Sequence, residues 1–551
     1  MKKLISLLLV ALITLTTFGT VGCVRGQGEQ FDANKTQLFV GVMSAGMGTI
    51  WSDETIEDFE EFYKDQSFEP GKTGVQVIPD YRKDEFVPTA LRSTMKGYRN
   101  AIYYVNQSDY DGYIADDLLV DITETINEKV YDENGDLAAE SGLPAVKSMM
   151  DTMKDVYVGR HERNGKYYAI PWCESVSGIV YDADLFDEYG YYFKKNGQLG
   201  ATYDDVLEGN CGAGPDGKMG TTDDGMPATY ADFIKLCTRM ATVDDVIPFT
   251  WAGTEYQRRY AFQSIWANYE GYDDFMLNYT MNGTDAQLGQ VTEQNYNTVL
   301  AAQEGRLAAI QTFADIIKKG WFSGNAFKNT YLTAQTEYIY SKKTNDRIAF
   351  FMEGGYWEAE GRATSDTMSV TNPNDAYGKR NFKLFPIPNF VGVDGITDQT
   401  NTNEPEVLLA GGENALVFLT KHNASNNPEV QLRLAKLFLQ FANSRKQLVN
   451  FTRDTGACFR CFDFEPTPAE KATFTKFTQS VYSYIEDGSE LLPKMEYSSV
   501  RKNNSEFDAK WVFTATVGGT TFYDAASAFK NNPTATPAQV FNALKTALSH
   551  M

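Results

Sequence analysis

The chain has 551 residues, a formal net charge of −23 at pH 7 and a marked aromatic content of 32 Tyr, 35 Phe and 7 Trp. It is too long for one hydrophobic core, so at least two lobes are expected. The negative surface disfavours nucleic acid and anionic lipid, and three His and six Cys argue against histidine-based catalysis and a disulfide scaffold.

The first residues set the compartment. Lys2 and Lys3 precede an apolar run, Leu4 to Phe18, that is short for a membrane span. Small residues then lead to Cys23. The order Thr20-Val21-Gly22-Cys23 resembles a bacterial lipobox, with Thr in place of the usual first Leu. Residues 1–22 are therefore expected to be a lipoprotein signal peptide, Cys23 the lipidated terminus and 23–35 a polar tether. Such an anchor places a protein at the extracytoplasmic face of the cell membrane without spanning it.

Beyond the tether, Leu38 to Val42 reads as a strand. Ser52 is a candidate helix cap, with Asp53 and Glu54 at the helix's positive end. Phe59, Phe62 and Tyr63 give that helix an apolar stripe. Strands over Val75 to Ile78 and Ala101 to Val105, with a helix from Glu85 to Lys96, complete an α/β pattern with a largely parallel sheet. Residues 190–230 are rich in Gly and Asp and read as loops, and Tyr230 to Lys319 is mainly helical. Arg347 to Met352 reads as a buried strand. The segment EVLLAGGENALVFLT reads as a strand pair or as a long strand broken at Gly411-Gly412. Asn427-Pro428-Glu429 opens a helix with a cap, a proline in the first turn and an acid. Cys458 and Cys461 form a single CxxC, too little for zinc. A Cys458–Cys461 disulfide and a Cys211–Cys237 disulfide are both open.

Five segments together resemble the extracellular solute-binding proteins of carbohydrate ABC importers, of the kind that includes maltose-binding protein. Four of them are GKYYAIPWCESVSGIVYDADLFDEYG, DRIAFFMEGGYWEAEG, FKLFPIPN and LLAGGENALVFLTKHNASNNPEVQLRLAKLFLQFA; the fifth is the start of the chain, with its lipobox and first strand. The resemblance implies a periplasmic-binding-protein-like α/β fold, two lobes joined by a hinge with the ligand cleft between them. The crossovers are expected near 171–176, 386–408 and 445–455. The N-terminal lobe would then hold 36–171 and about 387–445, and the C-terminal lobe 172–386 and about 446–551. Residues 130–150 and 190–230 look added to the usual plan.

The implied function is capture of a sugar, of oligosaccharide size, and its delivery to the transmembrane subunits of an ABC permease, by a monomer that is not an enzyme. Binding a neutral polyol calls for aromatic faces and planar hydrogen-bonding groups. The candidates are Trp51, Asn106, Trp172, Glu174, Trp251, Tyr256, Glu353, Tyr356, Trp357 and Gly411. Tyr356 or Trp357 is the expected stacking platform. Trp266 and Trp321 sit at helical spacing among apolar residues and read as core. Glu174 has a second reading, a hinge salt bridge. Two rival functions share the fold: a glycan-processing enzyme, with Glu174 and Glu353 as its carboxylates, and a sugar sensor. No cofactor is required. The loop GPDGKMGTTDDG, with Asp216, Asp223 and Asp224 among its glycines, reads either as a structural Ca²⁺ site or as a solvated acidic turn.

Overall fold

The computed structural model describes residues 31–551 apart from 45, 83–85, 87, 98, 107, 412–414, 422–426 and 494–504. Cys23 and the lipobox lie outside the described residues, and no described helix is long and apolar enough to cross a membrane.

Among the described residues twelve strands build two main sheets. In chain order they are β1 (Thr36–Met43), β2 (Val75–Arg82), β3 (Ile102–Tyr104), β4 (Ile170–Pro171), β5 (Glu174–Asp182) and β6 (Ile247–Thr250). They continue with β7 (Ile348–Gly354), β8 (Phe382–Leu384), β9 (Val407–Gly411), β10 (Leu416–Leu419), β11 (Cys458–Phe459) and β12 (Glu490–Pro493). The first sheet runs β2-β1-β3-β10-β4. Its first three strands are parallel, and β10 is antiparallel to both β3 and β4. The second runs β6-β7-β5-β9-β12, with β8 and β11 also paired to β5.

The first sheet is covered on one face by the helices Ile50–Phe62, Pro428–Ala442 and Arg445–Thr455. They bury Phe59, Leu434, Phe438 and Phe451 against Leu38, Val40 and Tyr104. The helix from Pro428 starts as its sequence directs, the Asn427 side chain accepting the Val430 N–H. The first helix begins earlier than expected. Thr49 stands at its cap position, and Ser52 lies inside the first turn with its hydroxyl bonded to the Thr49 carbonyl at 2.8 Å.

The second sheet is buried on both faces, so β7 reads as an unbroken apolar run, Ile348 to Met352. The helices Glu255–Glu270 and Gly305–Lys318 cover one face together with the C-terminal segment, which contributes Trp511, Phe529 and Leu544. Arg258 in the first of these helices holds Asp524 of that segment with two hydrogen bonds, at 2.8 and 3.1 Å.

Among the described residues the chain passes between sheets at three places: 172–173 between β4 and β5, between the end of β9 at Gly411 and the start of β10 at Leu416, and 456–457 after the helix Arg445–Thr455. The second differs from expectation. Residues 387–411 do not belong with the first sheet, because β9 pairs with β5 and β12 of the second. Of the two readings of this segment, a strand pair or one broken strand, the structure has two strands, one in each sheet. The third also comes later than expected, since Leu448 and Phe451 are buried in the first lobe's core.

Candidate functional site

The crossovers bring the ends of β5 and β7 next to the loop after β1, and most of the expected site residues lie in this region. The structure sorts them by what already occupies their faces.

Tyr356 follows β7 and belongs by chain to the second lobe. It packs against the core of the first. Its ring lies over Gly46, in the loop after β1, so closely that a Cβ on Gly46 would stand 2.7 Å from the ring. Gly46 has φ +70°, a conformation that suits glycine. The Tyr356 phenol is held well above its usual range, first by the neighbouring Tyr260 phenol and then by burial. Glu353, at the end of β7, is 4 % exposed. Its Oε1 accepts the Gly354 N–H at 2.9 Å and the Gln257 amide at 3.3 Å, while Oε2 is buried with no hydrogen-bond partner among the described residues. Burial pushes its carboxyl up to about 8. Asn106 and Tyr256 are exposed, and the Arg259 guanidinium lies over the Tyr256 ring. Gly411 ends β9, paired with Ser175.

Four tryptophans depart from expectation, and one acid takes the second of its two readings. Trp357 begins a short helix and is fully buried, ringed by Phe351, Phe382, Tyr338 and Phe477. It has no free face for a sugar. Trp251 is likewise buried, between Phe322 and Phe327. Trp51 and Trp172 pack on each other at 5.2 Å and on Phe451, and the Trp172 indole donates to the Val105 carbonyl at 2.8 Å. Glu174 is occupied too. It forms an ion pair with Lys154 and accepts the Tyr157 hydroxyl at 2.5 Å, so the hinge salt bridge is its observed role. Trp266 and Trp321 are core, as expected.

One feature of this region escaped the sequence reading. Arg460, inside the CxxC, is fully buried with its guanidinium 4.3 Å from the Phe451 ring and 4.8 Å from that of Trp51. Among the described residues its one hydrogen bond goes to the Trp172 carbonyl, at 3.4 Å. The signal was present: an arginine between two buried cysteines has to find aromatic faces or an acid.

The acidic loop uses its carboxylates on itself. Asp216 Oδ1 accepts from the Lys218 N–H at 2.7 Å, and Asp223 from the Asp216 N–H and the Thr221 hydroxyl, both at 2.9 Å. Asp224 accepts from the Gly220 N–H at 2.7 Å. Among the described residues no group of three or more His, Cys, Asp or Glu is placed to hold a metal ion. A wide groove between the helices Thr123–Asn127 and Pro428–Ala442 lies away from the crossovers, and no aromatic residue lines it.

No family model matches the chain, and no curated protein does. Solved structures match over nearly all of it. The maltose-bound MalE3 of T. maritima is 13 % identical, with 94 % of this chain and 99 % of that one covered and a TM-score of 0.52. A probable secreted solute-binding lipoprotein from Streptomyces coelicolor is 12 % identical over 94 % and 99 %, with a TM-score of 0.52. The bacterial solute receptor AcbH, with a preference for β-D-galactopyranose, is 13 % identical over 93 % and 98 %, with a TM-score of 0.51. The chain therefore has the periplasmic-binding-protein-like fold, two α/β lobes joined by three crossovers.

Proposed function

We propose that this chain captures a neutral sugar, of oligosaccharide size, between its lobes and delivers it to an ABC permease. The observation that carries the reading is the approach of Tyr356 to Gly46, which sets an aromatic ring from one lobe on bare backbone of the other. A pyranose presents an apolar C–H face that such a ring can cover, while its hydroxyls need replacement partners for lost water. Glu353, Asn106 and Tyr256 are the polar and aromatic groups left to supply them. Solved structures of the same fold include a maltose complex and a galactose-preferring receptor.

The occupied Glu174 weighs against a glycosidase, because a carboxylate bound by Lys154 and Tyr157 is not free to serve as a second catalytic acid or base. We place the protein outside the cytoplasmic membrane, as a monomer anchored through lipid on Cys23. Replacing Cys23 with Ala should move it from the membrane fraction to the medium or soluble fraction; an unchanged membrane fraction would remove the anchor from the proposal. For the ligand, a thermal-shift screen over mono- and oligosaccharides is the test. A sugar at about 100 times its Kd adds about 2.7 kcal/mol to native stability, an easily read shift.

A further inference from the structure

We propose that residues 460–471 are a strap that resists opening of the lobes, with Arg445 and Glu470 as its clasp. On both sides of the strap the chain belongs to the second lobe. Before it, β11 pairs with β5, Phe459 lying opposite Glu174. After it, the helix Lys476–Glu486 buries Phe477 and Val481 in one cluster with Phe351, Phe382 and Leu408. The Ser480 hydroxyl of that helix accepts the Leu384 N–H of β8 at 3.2 Å. The strap itself lies on the first lobe.

Arg460 sets its guanidinium against the Phe451 and Trp51 rings of the first lobe. Cys461 and Phe462 are buried in that lobe's core. The backbone of 461–463 runs antiparallel to 152–154, with Phe462 opposite Met153. The Cys461 carbonyl accepts the Lys154 N–H at 3.2 Å, and the Asp463 N–H donates to the Thr152 carbonyl at 2.7 Å. Met149, Met153 and Tyr157 of the facing segment belong to the same core. Arg445, which opens the first-lobe helix Arg445–Thr455, closes the far end of the strap. Its guanidinium holds both Glu470 oxygens, at 2.5 and 3.3 Å, and donates to the Glu465 carbonyl at 3.1 Å.

The strap has little slack. Arg460 alone separates the second-lobe pairing of Phe459 from the first-lobe bond of Cys461. At the other end the neighbours Glu470 and Lys471 are tied to opposite lobes, Lys471 by an ion pair with Glu486. A residue spans at most about 3.6 Å, so rotation of one lobe against the other has to bend the chain at these two points or break an attachment. All the attachments are made at the lobe angle at which Tyr356 meets Gly46. The Arg445–Glu470 pair is the attachment most open to water, with side chains 15 % and 31 % exposed, and it can part without disturbing a core. Its two parallel hydrogen bonds fix one geometry, so the pair favours the angle at which it is seen.

The test is small-angle scattering of the full-length protein without sugar, on the parent and on Glu470→Gln. Glutamine keeps the bond that Glu470 accepts from the Thr467 N–H and removes the charge pair. The radius of gyration should rise in Glu470→Gln and at least as much in Arg445→Met. It should stay at the parent value in Thr467→Ala, which loses the helix cap and keeps the clasp. Unchanged radii in both clasp variants would overturn the strap. Equal expansion of Thr467→Ala would overturn it too, because the helix turn and not the clasp would then set the angle. The effect on binding rests on the capture reading. Both clasp variants should bind the sugar about two- to fivefold more weakly, the scale of one exposed ion pair, since closure starts from a wider angle. Expanded variants that bind with parental affinity would refute the strap's part in capture. A sugar panel with no ligand would count against the capture reading, with the sugar-free scattering still deciding the strap.

Discussion

The ring of Tyr356 covers Gly46 so closely that one methyl group cannot be added between them without movement: a Cβ there would lie 2.7 Å from Cδ2 of the ring. The two residues come from opposite lobes, so this contact joins one lobe to the other. Tyr356→Ala should lower the melting temperature, because the ring packs against the first lobe's core, and weaken sugar binding to the protein that remains folded by about 1–3 kcal/mol, the scale of one good buried contact. Titration calorimetry on the variant reads the loss. Sugar binding at full strength would remove Tyr356 from the site.

Trp357, the next residue, should affect stability alone. It is sealed among four aromatic rings. Trp357→Ala should cost about 3–5 kcal/mol of stability, as large-to-small core substitutions do. The fraction that remains folded should bind sugar normally. Denaturant unfolding and a binding titration on the same sample separate the two effects.

Glu353 gives a pH signature. The folded protein keeps its proton up to about pH 8, whereas the unfolded chain releases it near the ordinary 4.5. Between those values the unfolded state binds fewer protons, so this group removes stability as pH rises. Glu353→Gln lacks that loss. Its melting temperature relative to the unsubstituted protein should therefore be higher at pH 8 than at pH 5. A difference that does not vary between the two pH values would contradict the assignment.

Arg258 and Asp524 fasten the C-terminal segment. Burial raises the Asp524 carboxyl, and the Arg258 charge together with hydrogen bonds from Arg258 and Ser527 more than offsets this, leaving it below its usual range. Arg258→Met would strand a buried carboxylate and should cost about 3–5 kcal/mol. Chemical denaturation at neutral pH measures it. Below the usual carboxylate range the penalty should shrink, because Asp524 can then take up a proton.

The acidic loop should not respond to divalent ions. Its three aspartates already accept N–H and O–H donors from their own turn. Chelator and added Ca²⁺ should both leave the melting temperature where it is. A rise with Ca²⁺ would show that the turn reorganises into a metal site.

Much of the architecture was legible because its signals are local. The Asn427-Pro428 start, the apolar β7 and the α/β alternation of the first hundred residues each follow from a few neighbouring side chains. The crossovers were less legible. Gly411-Gly412 reads the same whether the chain breaks within one sheet or passes to another, since strand pairing is a long-range choice. The site was least legible of all. Tyr356 and Trp357 are adjacent aromatics, and which of them is buried depends on a helix that begins at Trp357. Glu174 was readable either as a ligand group or as a hinge ion pair, and only the position of Lys154, twenty residues away, decided it.

A sugar held between the lobes should draw them together. The most direct test is small-angle scattering of reduced protein with and without the sugar that most raises its melting temperature, repeated on Tyr356→Ala. The radius of gyration should fall with sugar for the parent protein and stay unchanged for Tyr356→Ala at the same sugar concentration. A sugar that raises the melting temperature of both proteins equally and leaves the radius of gyration of both unchanged would place the binding site outside the cleft.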